Sequence, residues 1–390
     1  MKLCFITNDL SDTGGQQRVT AKVLNMLAKD HSVSVLFYSD YDKASTLIYE
    51  LDSNIQIIWD KSLVRQKTKR IKEIIFTKFY QYIYQFKSLD FAIKNAFSKR
   101  ELKAFESILN PYQFDIVIGI SPFASALVGL LDLNSKKVGW LHNTYERYFE
   151  TANDYAWNLG NLYSYAFSKL DCLIVLTNKS KENYQSKVNT RVEKIYNPMS
   201  FYSDTKASQE DKPILFVGRI SYITKGLEML IESLTYLKET HEDFVINIVG
   251  DGPDFKRLEN DIETNNLSEN VRLIGEQKDV LPYYLNASYF VLPSRIEGFG
   301  LVVTEAMECG LPVISYKTDG PSEIIQDEVN GFLIDNYDSK AFADKMAFLL
   351  NNEKVAKDMG QNAVKRVQDF KESVIKEEWN QLLSQVYEGN

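Results

Sequence analysis

In residues 2–38, KLCFITNDLSDTGGQQRVTAKVLNMLAKDHSVSVLFY, three patterns follow one another. Lys2 to Thr7 is an apolar run of strand length. After the glycine pair Gly14-Gly15, Val19, Val23, Leu24 and Leu27 recur at helical spacing up to Asp30. Ser32 to Tyr38 then alternates as Val-x-Val-x-Phe. Strand, glycine turn, helix and strand make a βαβ unit, which predicts a parallel sheet. Further strands are expected at Ile55–Trp59, Asp115–Ile120, Lys137–Leu141, Asp171–Leu176 and Val192–Ile195. Their near-continuous apolar character suits strands covered on both faces.

The series stops at Asn197-Pro198. Ser203 to Lys212 (SDTKASQEDK) is polar and without period, and reads as a linker. A second alternation follows, with strands expected at Pro213–Val217, Phe244–Val249, Val271–Ile274, Tyr289–Leu292 and Pro312–Ser315. The fold class is therefore α/β, with two Rossmann-like doubly wound domains over 1–200 and 201–370. Ligands are expected at the carboxyl ends of the strands. The segment 371–390 contains an amphipathic helix from Lys371 to Val386 (Val374, Ile375, Trp379, Leu382, Leu383, Val386), expected to return to the N-terminal domain. No repeat relates the halves.

Composition narrows the function. With 390 residues and about 150 per domain, two domains are expected. Hydrophobic residues at 44% and charged ones at 25% describe an ordinary folded chain. A net charge of −8 argues against a nucleic-acid binder. Cys4, Cys172 and Cys309 are odd in number and far apart, which excludes a disulfide framework. His31, His142 and His241 show no zinc spacing. The first apolar run is too short for a signal peptide, and no stretch reaches the 18 or so apolar residues of a membrane span. A cytoplasmic protein is expected. One stretch stands apart: Lys61 to Lys87 holds eight basic residues against the single acid Glu73, with six aromatics interleaved. It reads either as a helix lying on an anionic membrane or as one whose aromatics pack on the domain.

The strongest chemical signal is Ser294-Arg295-Ile296-Glu297-Gly298-Phe299-Gly300-Leu301-Val302-Val303-Thr304-Glu305-Ala306-Met307. Glu297 falls at the carboxyl end of a strand and Glu305 in the early turns of the next helix, so both can face one cleft. The glycines between them leave the backbone bare, and amides at the helix start can approach an anion. One carboxylate can bind sugar hydroxyls while the other holds a ribose. In Gly218-Arg219-Ile220-Ser221-Tyr222-Ile223-Thr224-Lys225-Gly226, Arg219 and Lys225 can neutralise a diphosphate, although the spacing is not that of a Walker loop. Gly14-Gly15 could meet a phosphate, or be only a turn. His142 follows a strand, which puts it at a cleft edge. Asp40-Tyr41-Asp42 matches the Asp-x-Asp pattern of metal-dependent transferases, but lies remote from the other motifs and reads as a loop.

In order and at strand ends, these motifs resemble the bacterial members of glycosyltransferase family 4, retaining GT-B enzymes of exopolysaccharide and capsule type. The resemblance continues into Gly310-Leu311-Pro312-Val313-Ile314, Gly320-Pro321-Ser322-Glu323-Ile324-Ile325 and Asn330-Gly331-Phe332-Leu333, and so covers essentially the whole chain. It implies Arg219 and Lys225 on the donor diphosphate, Glu297 on the donor sugar and Glu305 on the ribose. Gly298, Phe299, Gly300, Leu301 and Val302 would hold sugar or phosphate through their amides. Gly14 and Gly15 would meet the diphosphate, and His142 would approach the reacting carbon. The implied catalytic set is His142, Arg219, Lys225 and Glu297. The implied donor is a nucleotide sugar, most often UDP-linked, with no metal and no cofactor. The acceptor is a saccharide, a lipid-linked saccharide or a protein. One departure stands out: Gln16-Gln17 lies where many relatives place an acid before Arg18. A sugar-nucleotide epimerase, a glycogen-type synthase and a catalytically silent subunit share the architecture. The epimerase would lack this Glu297/Glu305 and Arg219/Lys225 pattern, and silent subunits typically lose the cations or the first glutamate.

Overall fold

The computed structural model describes residues 1–8, 10–11, 14–39, 47–63, 89–152, 156–335 and 337–389. The chain forms two compact units, Met1–Pro198 with Glu372–Asn390, and Met199–Lys371. Asp40-Tyr41-Asp42 and all but the first three residues of the basic stretch lie outside the described residues.

The first unit is built on a seven-stranded sheet. Its strands are β1 (Lys2–Thr7), β2 (Ser32–Phe37), β3 (Gln56–Trp59), β4 (Ile116–Ile120), β5 (Lys136–Trp140), β6 (Cys172–Val175) and β7 (Arg191–Lys194). Their order is β3-β2-β1-β4-β5-β6-β7, and every pairing is parallel. In β1, Phe5 faces Val35 of β2 on one side and Ile118 of β4 on the other. All of β1 beyond Lys2 is buried, as strands covered on both faces require. The helix Gly15–Leu27 buries Val19, Val23, Leu24 and Leu27, the stripe its spacing predicts.

The C-terminal helix Glu372–Glu388 completes this first unit. It buries Ile375, Trp379, Leu382, Leu383 and Val386, whereas Val374, expected on the same face, is 41% exposed. At 100° per residue the buried five span about a 100° stripe, and Val374 falls roughly 80° beyond its edge, on the side of Ile375 away from Leu383. The Trp379 ring lies 6.4 Å from Phe5 and meets Trp140 edge-on at 5.0 Å. Around this apolar seam, Glu372 pairs with Lys29 at 2.6 Å and Lys376 with Asp30 at 3.0 Å. Gln385 accepts from Arg191 at 2.5 Å.

The second unit has a six-stranded sheet in the order β10-β9-β8-β11-β12-β13. Here β8 is Ile214–Val217, β9 Ile246–Val249, β10 Val271–Gly275, β11 Phe290–Leu292, β12 Val313–Tyr316 and β13 Gly331–Ile334. Two findings depart from the sequence expectation. The strand β13 was not anticipated, because four apolar residues opening on glycine carry no period. Its glycine is a packing requirement: a Cβ on Gly331 would lie 2.2 Å from the Val313 carbonyl oxygen. The polar run Ser203–Lys212 is not a free linker. The Ser203 amide and the Lys206 ammonium bond Glu308 at 3.0 and 2.9 Å, Ala207 N–H donates to Cys309 O at 2.9 Å, and Gln209 donates to Gly310 O at 2.6 Å. The run satisfies the carboxyl end of the helix Leu301–Glu308, where carbonyls lack partners. Among the described residues, no helix is long and apolar enough to cross a membrane.

Candidate active site

In an open doubly wound sheet, ligands bind where neighbouring strands send their connections to opposite faces. In the second unit that point lies between β8 and β11, which pair through Leu215 and Phe290. Both strong motifs begin there. After β8 come Gly218 and Arg219, then a single helical turn, Tyr222–Lys225, and then Gly226. After β11 comes the loop holding Arg295 and Glu297, which ends at Gly300 ahead of the helix Leu301–Glu308.

The two loops are fastened together. Arg295 and Ile296 donate their main-chain N–H groups to Thr224 O at 3.0 and 3.3 Å. Gly226 adopts φ 61°, and a Cβ there would lie 2.3 Å from Pro293 O. This junction brings Lys225 Nζ to 2.5 Å from Glu297 Oε2, with both side chains only 16% exposed. Ser294 donates to the same oxygen at 3.4 Å. The lysine stem runs close to Gly218, its Cε 3.6 Å from where a Cβ would stand. Arg219 is exposed and has no ion-pair partner among the described residues.

Gly300 caps the helix at φ 94°, a conformation suited to glycine. The first amides of the helix, those of Leu301 and Val302, have no intrahelical acceptor. The Phe299 side chain turns inward, 5.6 Å from the Phe370 ring, so only its backbone remains for a ligand. Behind it, Gly320 N–H donates to Glu297 O at 3.2 Å, and a Cβ on Gly320 would collide with Phe299 O at 1.9 Å. Gly298 is buried in the same turn. Glu305 lies in the helix as expected, but it is 3% exposed, and its Oε2 accepts from the buried Tyr284 hydroxyl at 2.9 Å.

One contributor escaped the sequence reading. The loop Gly250-Asp251-Gly252 after β9 underlies the Gly218 loop, with Asp251 O accepting from Ile220 N–H at 2.9 Å. A Cβ on Gly250 would meet Gly218 O at 1.9 Å, and one on Gly252 would meet Ile220 O at 2.3 Å. Its signal is a glycine-x-glycine directly after a strand.

In the first unit, Gly14 is the extended N-cap of the helix Gly15–Leu27, and both glycines are exposed after β1. No acidic residue occupies the first turn of that helix. His142 departs from its expected place at an open edge. It is 7% exposed, its ring lies 4.4 Å from Trp140, and both nitrogens are buried without a hydrogen-bond partner. Burial lowers its pKa to about 3, because desolvation penalises the charged ring. Its imidazole is therefore neutral at physiological pH, a hydrogen-bonding group and not a charge. Among the described residues, no group of three or more His, Cys, Asp or Glu side chains could hold a metal ion.

Residues 201–366 match the family model described as glycosyl transferases group 1. The chain is 27% identical to an uncharacterized glycosyltransferase of Haemophilus influenzae, over 98% of this chain and 99% of that one. It is 26% identical, over 99% of each chain, to a Campylobacter jejuni alpha-1,4-N-acetyl-D-galactosaminyltransferase. The acceptor in that protein's name is GalNAc-alpha-(1->4)-GalNAc-alpha-(1->3)-diNAcBac-PP-undecaprenol. Among solved structures, Staphylococcus aureus TarM, in complex with fondaparinux, alpha-GlcNAc-glycerol and UDP, superposes with a TM-score of 0.75. It covers 98% of this chain and 99% of its own, at 17% identity. With two parallel-sheet α/β units, and a group 1 domain on the second, the chain is a glycosyltransferase of GT-B fold.

Proposed function

We propose that the chain is a retaining glycosyltransferase of family 4. It moves a hexose or N-acetylhexosamine from a UDP-linked donor to a saccharide carried on a lipid. The observation that carries the reading is the Lys225–Glu297 contact between the ends of β8 and β11. It sets a cation for the diphosphate beside a carboxylate for the sugar. Breaking the bond between the anomeric carbon and the diphosphate leaves negative charge on the leaving group. Arg219, Lys225 and the amides of Leu301 and Val302 stabilise that charge, and no metal is required in this reading. Glu297 takes sugar hydroxyls and Glu305 the ribose.

The UDP in the TarM complex supports the base, and the undecaprenol-linked acceptor of the Campylobacter relative supports a lipid carrier. A basic, aromatic Lys61–Lys87 stretch fits work beside an anionic membrane. The test incubates the purified protein with UDP-, GDP- and ADP-sugars, with and without EDTA, and follows donor hydrolysis and the anomer released by NMR. Slow hydrolysis of a UDP-sugar in EDTA with retained configuration is expected. Inverted product, or activity lost to EDTA and restored by manganese, would overturn the mechanism. Nucleotide binding without any turnover would favour the silent subunit.

A further inference from the structure

We infer that Arg295 is a positioning residue: it fastens the turn that carries Lys225, and so fixes where that ammonium meets the donor diphosphate. The inference rests on the reading of Lys225 given above.

The turn Tyr222–Lys225 is four residues long. A single turn has almost no stability of its own, and its last carbonyls lack intrahelical partners. Its start is held by Asp254, which accepts from Tyr222 N–H at 2.8 Å, and by the Tyr222 hydroxyl bonded to Asp261, with Arg257 over the ring at 3.8 Å. Its lysine end rests on the β11 loop. Arg295 donates its main-chain N–H to Thr224 O at 3.0 Å and its guanidinium to Tyr222 O at 3.1 Å. Ile296 N–H makes a longer bond to Thr224 O at 3.3 Å. The guanidinium also pairs with Glu228 of the following helix Leu227–Lys238. The Arg295 carbonyl in turn accepts from Tyr337 at 3.2 Å. A planar fork can hold a carbonyl and a carboxylate together, which a lysine ammonium does less well. A cation at the negative end of the turn is favourable in its own right. Two residues beyond Arg295 stands Glu297, the partner of Lys225. One short loop thus supplies both the fastening and the carboxylate.

The test is a cycle of Arg295→Met, Lys225→Ala and the double variant, in the full chain. Titration calorimetry compares UDP with uridine, which lacks the diphosphate, and ADP and GDP with their nucleosides are run beside them. Arg295→Met is expected to weaken UDP about tenfold and uridine less than about twofold. In the Lys225→Ala background it should add less than about twofold, because the two side chains act as one. Arg295→Lys should remain about threefold weaker than the parent. Additive losses would mean that Arg295 meets the ligand itself, and equal losses for UDP and uridine would mean a general structural defect. Either result overturns the inference, as does unchanged UDP binding in Arg295→Met. If Lys225→Ala leaves UDP affinity intact, the diphosphate reading of Lys225 falls, and the inference falls with it. Melting curves check folding. Should Arg295→Met fail to fold, Glu228→Gln removes the far anchor of the guanidinium and should weaken UDP about threefold, again without effect on uridine.

Discussion

Lys225 and Glu297 lie 2.5 Å apart, so on the proposed reading a donor diphosphate competes with a carboxylate for one ammonium. Glu297→Gln relieves that competition. It is expected to leave UDP affinity unchanged or raise it by about two- to fivefold, while turnover falls by about a hundredfold or more. Calorimetry beside steady-state kinetics checks this, and weaker UDP binding would contradict the arrangement. His142 makes a different prediction. Its folded pKa, lowered to about 3, lies below its ordinary value of 6.5, so the unfolded chain binds the proton first. The stabilising effect of its neutral burial is complete above pH 6.5 or so and is lost as pH falls from there toward 3. The loss is at most about 1.4 kcal/mol per unit. Denaturant unfolding at pH 7, 6, 5 and 4 should show this slope, and His142→Asn should flatten it. An identical slope in the variant would place the ring outside its buried setting.

At the scale of elements, the strands were legible where runs of valine, isoleucine and leucine are long enough to cross a sheet covered on both faces. In β1 and β4 the core comes directly from sequence. The position of the candidate site was legible in the same way, because Gly218 and Glu297 fall just beyond strands that could already be drawn. Three features were hidden, for physical reasons. The strand β13 is four residues and begins with a glycine set by the Val313 carbonyl, a contact no local pattern encodes. Ser203–Lys212 looks like solvent-facing chain because its bonds go to a helix end about a hundred residues away, at Glu308 and Gly310. The loop holding Gly250 and Gly252 works by absence, since what matters is the Cβ that is not there. Gly250→Ala places a methyl group against Gly218 O at a φ of +139°. It is expected to destabilise the second unit by about 1–3 kcal/mol and to weaken UDP binding with it. Differential scanning fluorimetry and titration of the same sample decide this. A variant as stable and as tight as the parent would show that the loop yields freely.

Over the whole molecule, the first unit is discontinuous in sequence, its last helix separated from its sheet by all of Met199–Lys371. That helix buries Trp379 against Phe5 and Trp140. Trp379→Ala should cost the first unit about 3–5 kcal/mol. Hydrogen exchange should show faster opening in β1 and β5 and little change from β8 to β13. Uniform loss of protection would mean that the two units unfold as one. The same arrangement has a consequence for birth on the ribosome. The second unit is contiguous and is finished before the first, although it begins later. After Pro198 is made, the β1–β5 surface around Trp140 waits uncovered while 199–371 is synthesised, roughly 10–35 s at ordinary elongation rates. Protease added to chains halted with Lys371 just outside the exit tunnel should spare the later half and cut the earlier one. The sheet of the first unit stays half-dressed until the helix Glu372–Glu388 has emerged to cover it.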